Sequence, residues 1–345
     1  MKLYYRRCLR GLFMVFIFSQ YLSLYCQQEL RGIVLDAVTK KPLEAVAVYL
    51  NGTTKGVITN NNGRFYLETN SASNEPLIIS YLGYENKTIE QSRIQDKNNI
   101  VVYLKEQLEP LDPVYLSNDS WSRQKKLAYF KRYFIGSGNI QNTCKILNEK
   151  DIKLFYKLSE NKLYPSAYVP IRIKNDFLAY DISYDLISFE ILFKEGNNES
   201  PEVKSVFFMG SSFYTDKIET KPDPEHYLVR RDEAYLGSFL HFMRSIATKK
   251  LRKNKFKLFY QGKKIRPKKC FTVEVENGFA NVTTNKNQIT ILYDSSKFSQ
   301  MLFNHKLTSF SIDGYGNYRP VRLFRFAGYM GGLKLGKMLP LDYGL

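Results

Sequence analysis

The chain has 345 residues and a formal net charge of +18, with 15% aromatic residues. That length is enough for two domains with hydrophobic cores of their own. Its 26 Tyr and 24 Phe favour β structure, and 12 Pro and 20 Gly are too few for a wholly disordered chain.

The N-terminal residues 1–26 have the order of a secretory signal peptide. They begin with four cations and no acid: Lys2, Arg6, Arg7 and Arg10. The apolar run over 12–18 that follows is shorter than the about 20 residues needed to span a bilayer. We therefore expect cleavage between Cys26 and Gln27 and a location in the periplasm, at the outer membrane or on the cell surface. Lipidation of Cys26 is the alternative, although Tyr25 stands where a small residue is expected.

Removing those four charges from +18 leaves a mature net charge of +14. A protein so basic attracts polyanions, which in a cell envelope are lipid phosphates, acidic glycans and cell-wall acids. Export argues against nucleic acid as a partner. Two cysteines remain after cleavage, Cys144 and Cys270, and an oxidising compartment permits either one disulfide or two buried thiols.

Residues 30–104 predict a compact all-β unit. The apolar runs that predict strands lie at 32–35, 45–50, 56–59, 64–68, 77–81 and 100–104. The Asn- and Gly-rich stretch Asn60–Gly63 predicts a hairpin between the third and fourth runs, since these residues tolerate positive φ. Short strands separated by such turns predict a β-sandwich.

Several short motifs in this unit carry a family resemblance. They are Gly32-Ile33-Val34-Leu35-Asp36, Lys41-Pro42-Leu43, Ala47-Val48-Tyr49-Leu50-Asn51-Gly52-Thr53, Asn62-Gly63-Arg64-Phe65 and Ser80-Tyr81-Leu82-Gly83-Tyr84. The stretch resembles the carboxypeptidase regulatory-like domain. That resemblance implies a transthyretin-like β-sandwich, which in Bacteroidetes often lies at the front of outer-membrane receptors and surface proteins.

Residues 106–138 predict a linker followed by a helix over 121–135. Leu127, Phe130 and Phe134 recur there at helical spacing, and Gly136 can end the helix. The whole division is a signal peptide over 1–26, a sandwich over 27–105, this linker and helix, and a β-rich domain over 139–345.

Residues 139–345 predict an α+β domain dominated by antiparallel sheet. The predicted strands lie at 153–158, 177–193, 203–214, 255–260, 270–275, 290–293 and 306–312. A single helix is predicted over 233–253, where Leu236, Phe239, Phe242, Met243 and Ile246 share one face. Motifs such as Cys144–Asn148 and Leu339–Tyr343 are similar to the body of Bacteroidetes carboxypeptidase-like regulatory domain proteins, a resemblance that implies no particular chemistry.

The common catalytic motifs are incomplete. A zinc carboxypeptidase needs a His-x-x-Glu pair and a distant His, but neither His226, His241 nor His305 has Glu three residues later. The glycine-rich stretch 331–337 has Met338 where a phosphate loop needs Ser or Thr. The stretch 210–214 lacks the last glycine of a nucleophile elbow. We expect no enzyme of these kinds, no catalytic residue, no metal and no cofactor.

The strongest charge feature is the basic segment, residues 249–269, which has no acid. Its cations are Lys249, Lys250, Arg252, Lys253, Lys255, Lys257, Lys263, Lys264, Arg266, Lys268 and Lys269. With Phe256, Phe259 and Tyr260 interleaved, it predicts polyanion contact. The alternative is a solvated helix end and hairpin, where lysines protect a sheet edge.

Three functional hypotheses follow. The first is a non-enzymatic binding or assembly protein of the cell envelope, whose partner is an outer-membrane protein, glycan or lipid. The second is an envelope hydrolase acting on peptidoglycan or polysaccharide through Asp181, Asp185 and Glu190. The third is a protein that tethers polyanions through the basic segment and touches membranes only peripherally.

Overall fold

The computed structural model describes residues 27–70, 75–107, 121–195, 201–303, 308–321 and 323–345. Their buried apolar side chains form three separate clusters. We call the corresponding regions the N-terminal unit (27–107), the middle unit (121–235) and the C-terminal unit (239–332), and residues 333–345 the tail. The fold is mainly β, as predicted. The predicted signal peptide, with Cys26, lies outside the described residues, and none of the described helices is long and apolar enough to cross a membrane.

The N-terminal unit is a two-sheet β-sandwich. Its strands are β1 (Gln27–Asp36), β2 (Ala47–Leu50), β3 (Gly56–Ile58), β4 (Arg64–Asn70), β5 (Leu77–Ser80), β6 (Lys87–Ile89) and β7 (Ile100–Leu104). One sheet has the order β4-β1-β7 and the other β3-β2-β5-β6. Side chains alternate across each strand, so Val102 and Leu104 are buried while Val101 and Tyr103 are exposed. The predicted sandwich is confirmed.

The turn at Asn60–Gly63 crosses between the two sheets and does not close a hairpin. Gly63 has a φ of 68° and donates its N–H to the Asn60 carbonyl, so a tight turn forms at the predicted place. Yet β3 pairs with β2, and β4 pairs with β1. The predicted hairpin is wrong because Phe65 and Leu67 of β4 fill the core from the sheet opposite β3.

The middle unit is a six-stranded sheet covered by a helix. Its strands are β8 (Cys144–Ile146), β9 (Ile152–Lys157), β10 (Lys162–Ala167), β11 (Ile171–Asn175), β12 (Tyr180–Phe193) and β13 (Val203–Asp216), and its helices are α1 (Arg123–Phe134), α2 (Asn139–Thr143) and α3 (Pro224–Tyr235). The order is β8-β11-β12-β10-β9, with β13 on β12. The predicted helix is confirmed as α1, which Ser122 caps by accepting from the Lys125 N–H. Phe130 and Phe134 bury its apolar face, so this helix belongs to the middle core.

The long pair β12–β13 contains a β-bulge. Its register shifts between Leu186 and Ser188, which leaves Ile187 as the extra residue. Ile187 is 65% exposed, whereas Leu186 beside it packs against the middle core. The bulge therefore turns one apolar side chain away from the middle core.

The C-terminal unit has two sheets and a buried helix. Its strands are β14 (Phe256–Tyr260), β15 (Lys263–Ile265), β16 (Thr272–Glu276), β17 (Phe279–Thr284), β18 (Gln288–Tyr293), β19 (Lys297–Phe303), β20 (Thr308–Ile312), β21 (Tyr318–Arg319) and β22 (Phe324–Ala327), with α4 (Phe239–Ala247), α5 (Pro267–Cys270) and α6 (Gly328–Gly332). The sheet orders are β15-β14-β18-β19-β22 and β16-β17-β20-β21. Residues 139–345 thus contain two hydrophobic cores.

The single helix predicted over 233–253 is wrong, because the chain breaks between α3 and α4. Gly237 adopts a φ of 78°, which ends α3. Ser238 then accepts a hydrogen bond from the His241 N–H at 3.1 Å and caps α4. The apolar residues of α4 keep the predicted face, but the helix ends at Ala247, well before Lys253.

The N-terminal unit is docked on the other units through the turn 51–54. The Gly52 N–H donates to the Ser212 carbonyl at 2.7 Å, and the Gly52 carbonyl accepts from the Leu341 N–H at 2.7 Å. The Thr54 hydroxyl donates to the Asp342 carboxylate at 2.5 Å. This turn therefore joins the N-terminal unit to both β13 and the tail.

Candidate anion-binding cleft

The basic segment folds into the turns that follow α4, the β14–β15 hairpin and the short helix α5, and all of its cations are exposed. In β14 the side chains of Phe256 and Leu258 are buried while Lys257 points outward. Gln261 and Gly262 both have positive φ and form the two-residue hairpin turn between β14 and β15. Every one of the eleven predicted cations is exposed: Lys249, Lys250, Arg252, Lys253, Lys255, Lys257, Lys263, Lys264, Arg266, Lys268 and Lys269.

Five of these cations line one cleft of about 660 Å³, which we call the basic cleft. They are Arg252, Lys255, Lys257, Lys264 and Arg266. The hairpin register pairs Phe259 with Lys264, so Lys257 and Lys264 share the outward face of the sheet. Across the cleft lies the turn between β18 and β19, which contributes Asp294 and Ser295.

The charges of the basic cleft are poorly balanced. Lys255 forms an ion pair with Asp294 at 3.5 Å, and the Lys257 ammonium donates to the Ser295 hydroxyl at 3.0 Å. With five cations and one carboxylate, the lining carries a net charge of +4. Across the described residues, the other ten cations of the basic segment have no carboxylate oxygen within 4.0 Å. The cleft is therefore chemically suited to an anion with several charges.

The structure does not bring the three predicted hydrolase carboxylates together. Asp181, Asp185 and Glu190 lie on β12. At about 3.3 Å per residue they are roughly 13 and 16 Å apart along the strand, whereas paired glycosidase carboxylates are about 5 to 10 Å apart. Asp181 is 3.6 Å from a lysine ammonium, and Glu190 is 3.1 Å from another. Each of these two acids is thus held in a separate ion pair.

Asp185 instead joins the middle unit to the N-terminal unit. Its carboxylate accepts hydrogen bonds from the Tyr49 hydroxyl and the Asn86 amide, both at 2.8 Å. Burial raises the pKa of Asp185, while hydrogen bonds from Tyr49, Asn86 and Ser211 oppose that rise. Sequence reasoning missed this interface, because Tyr49 and Asp185 are 136 residues apart and no local pattern pairs them.

The histidines are separated in the fold. His226 is exposed, and His305 lies outside the described residues. His241 is buried in α4, where it accepts a hydrogen bond from the Gly237 N–H at 3.1 Å. Burial lowers the pKa of His241 to about 4, helped by Arg244 and Lys297. Within the ranges that the structure covers, no three His, Cys, Asp or Glu side chains are grouped to hold a metal.

The incomplete nucleophile elbow, the glycine-rich stretch and the two cysteines all lie in ordinary strands, turns or hydrophobic cores. Ser211 lies within β13, where its hydroxyl is 3.5 Å from Asp185. The glycine-rich stretch 331–337 spans the end of α6 and a short 3-10 turn. Cys144 and Cys270 are free thiols in the cores of different units, so they form no disulfide. Burial raises the pKa of each thiol to about 11.

Comparison with known proteins gives the N-terminal unit a family. Residues 30–116 match the family model of the CarboxypepD_reg-like domain. This unit is therefore a carboxypeptidase regulatory-like domain, a non-catalytic β-sandwich. The chain as a whole is a carboxypeptidase regulatory-like domain-containing protein.

Other comparisons add little. No curated protein matches the chain. Two solved structures with a similar segment are type II cohesin–X-dockerin complexes from Acetivibrio cellulolyticus, a C-terminal and an N-terminal interface mutant. Both are 18% identical with a TM-score of 0.20, and they match 22% and 23% of this chain. The matches cover 56% and 58% of those chains, less than two thirds of their length.

Proposed function

We propose that this protein is a non-enzymatic, exported binding protein of the cell envelope that holds an anionic polymer in its basic cleft. The observation that carries the proposal is the convergence of five exposed cations on one concave surface that contains a single carboxylate. The signal-like order of residues 1–26 supports export, and acidic glycans and cell-wall acids are among the polyanions expected in that compartment.

The shape of the site favours a polymer chain over a flat membrane surface. Arg252, Lys255 and Lys257 lie on one stretch of the cleft, and Lys264 and Arg266 come from the neighbouring strand and its end. A polymer chain in the cleft would contact cations from the turn before β14, from β14 and from β15 and its end together. Binding of this kind releases counterions and therefore weakens as salt rises.

In this proposal the N-terminal unit is a fixed part of the protein. Its 51–54 turn bonds to β13 and the tail, and Tyr49 bonds to Asp185 at the interface. A partner bound to the exposed faces of the N-terminal unit would therefore be held in a fixed orientation relative to the basic cleft. This role as a spacer agrees with its non-catalytic character.

The test uses residues 27–345 and fluorescent polyphosphate, with neutral dextran and phosphatidylglycerol vesicles as parallel probes. The cleft variant is the triple Lys257→Gln, Lys264→Gln and Arg266→Gln. The control triple is Lys263→Gln, Lys268→Gln and Lys269→Gln, which removes the same charge from the same segment outside the cleft.

The cleft triple should weaken polyphosphate binding at least about tenfold and lower the slope of log K against log salt by roughly 2. The control triple should cost less than about threefold, since it changes only the general field. Equal losses in both triples would show that net charge, and not the cleft, binds the polymer. Tighter binding to vesicles than to polyphosphate would replace the polymer with a membrane surface.

A further inference from the structure

A second cavity lies where the three units and the tail meet. Its volume is about 820 Å³, within the usual range of small-molecule sites, which often form at domain interfaces. All three units and the tail contribute to its wall, so no single unit contains it. We call it the junction cavity. It shares no lining residue with the basic cleft.

Apolar side chains dominate the wall of the junction cavity. Ile78 lies on the outer face of β5, away from the sandwich core that Leu77 and Ile79 fill. Ile187, the residue released by the β-bulge, also lines the cavity, as does Met338 of the tail. Ile78 is only 2% exposed, but Ile187 is 65% exposed and Met338 is 36% exposed. Burial of that surface by an apolar ligand would be favourable.

The polar groups of the wall are mostly matched to each other. Arg319 forms an ion pair with Glu90 at 2.8 Å, and Asn317 donates to Glu75 at 2.9 Å. Lys337 differs, because no carboxylate oxygen of the described residues lies within 4.0 Å of its ammonium, whose nearest recorded partner is the Phe177 ring at 5.9 Å. The cavity therefore combines an apolar wall with one cation that lacks an acidic partner.

We propose that the junction cavity binds a single-chain amphipathic anion, such as a long-chain carboxylate. The apolar chain lies against Ile187 and Met338, and the anionic head pairs with Lys337. The unpaired cation selects an anionic head, and the apolar wall selects a hydrocarbon chain over a polar polymer. This inference goes beyond the proposed function because it concerns a different site and a different ligand.

The test measures binding of hexadecanoic acid to residues 27–345 by calorimetry. The variants are Ile187→Gln, whose exposed side chain is not needed by the core, and Lys337→Gln. The matched controls are Val38→Gln, an 86% exposed apolar residue elsewhere on the N-terminal unit, and the basic-cleft triple. Hexadecanol is the probe that keeps the chain and removes the charge.

We expect one molecule of hexadecanoic acid per chain, and about tenfold weaker binding for Ile187→Gln, for Lys337→Gln and for hexadecanol. Both controls should stay within about twofold of the parent. The inference fails if binding does not saturate at one per chain, or if Ile187→Gln and Lys337→Gln bind as the parent does. Equal affinity for hexadecanol would overturn the role of Lys337. A loss confined to the basic-cleft triple would move the ligand to that cleft and leave the proposed function standing.

Discussion

Replacement of Glu75 by Gln should make the stability of the protein less sensitive to pH. Glu75 belongs to the N-terminal unit, is fully buried and accepts a hydrogen bond from Asn317 of the C-terminal unit. Asp313, whose carboxylate accepts hydrogen bonds from the backbone N–H groups of Tyr315 and Asn317, adds to the rise in the pKa of Glu75. A protonated Glu75 can donate to that carboxylate, whereas two ionised carboxylates would repel each other.

The size of the effect follows from the pKa. Burial raises the pKa of Glu75 from 4.5 to about 9, with Asp313 adding to the rise and Asn317 and Arg319 opposing it. The folded protein thus retains a proton that the unfolded chain loses above its own pKa. This contribution to stability is complete below the unfolded value of 4.5 and falls as pH rises towards 9, by about 1.4 kcal/mol per pH unit. At about pH 7, which is about 2.5 units above the unfolded value, the loss is about 3.4 kcal/mol.

The pH dependence of the free energy of unfolding can be measured by urea unfolding of the parent and of Glu75→Gln. Circular dichroism follows the unfolding at several values between about pH 5 and pH 8. Gln resembles the protonated acid in shape and in its ability to donate, so the two proteins should be similarly stable at the acidic end. For each further pH unit, the free energy of unfolding of the variant should rise by about 1.4 kcal/mol relative to that of the parent. Glu90→Gln, which alters the nearby ion pair with Arg319, is the control and should show no such trend. Parallel curves for the parent and Glu75→Gln would refute the reasoning.

Two further predictions concern the interface and the thiols. Tyr49→Phe removes the 2.8 Å hydrogen bond to buried Asp185 and should lower the free energy of unfolding by about 2 kcal/mol. The control Tyr66→Phe, at an exposed tyrosine, should lower it by less than about 0.5 kcal/mol. Equal effects of the two substitutions would show that the bond to Asp185 contributes nothing. Burial and a pKa of about 11 should keep Cys144 and Cys270 unreactive towards a thiol reagent at about pH 8 until urea unfolds the protein. Rapid labelling of the folded protein would contradict the buried position of these thiols.

The docked arrangement gives the family motif a physical meaning. The stretch that ends in Asn51-Gly52-Thr53 contains Tyr49, and its turn makes the backbone hydrogen bonds that hold β13 and the tail. Arg244 strengthens the same junction by donating to the carbonyls of Leu341 and Tyr343 at 2.6 and 2.7 Å. This short motif therefore forms a local turn and also makes the hydrogen bonds that join the units.

Local patterns in the sequence were sufficient to predict 13 of the 22 strands of the described residues. The strand over 100–104 and helix α1 form as predicted, because alternation of buried side chains and the helical spacing of Phe130 and Phe134 depend on neighbouring residues. The exposure of the basic segment was also predictable, since its charges can be solvated only at the surface. The sandwich itself could be recognised from short motifs, and the family match over 30–116 supports that interpretation.

Contacts between residues far apart in the chain decided the rest. The turn at Asn60–Gly63 formed as predicted, but only the packing of Phe65 in the core determined that its flanking strands belong to different sheets. Tyr49 and Asp185 are separated by 136 residues, and Glu75 and Asn317 by 242, so no local pattern could pair them. The same holds for the basic cleft and the junction cavity. The sequence determined which side chains are apolar or charged, and tertiary packing alone determined which of them share a surface.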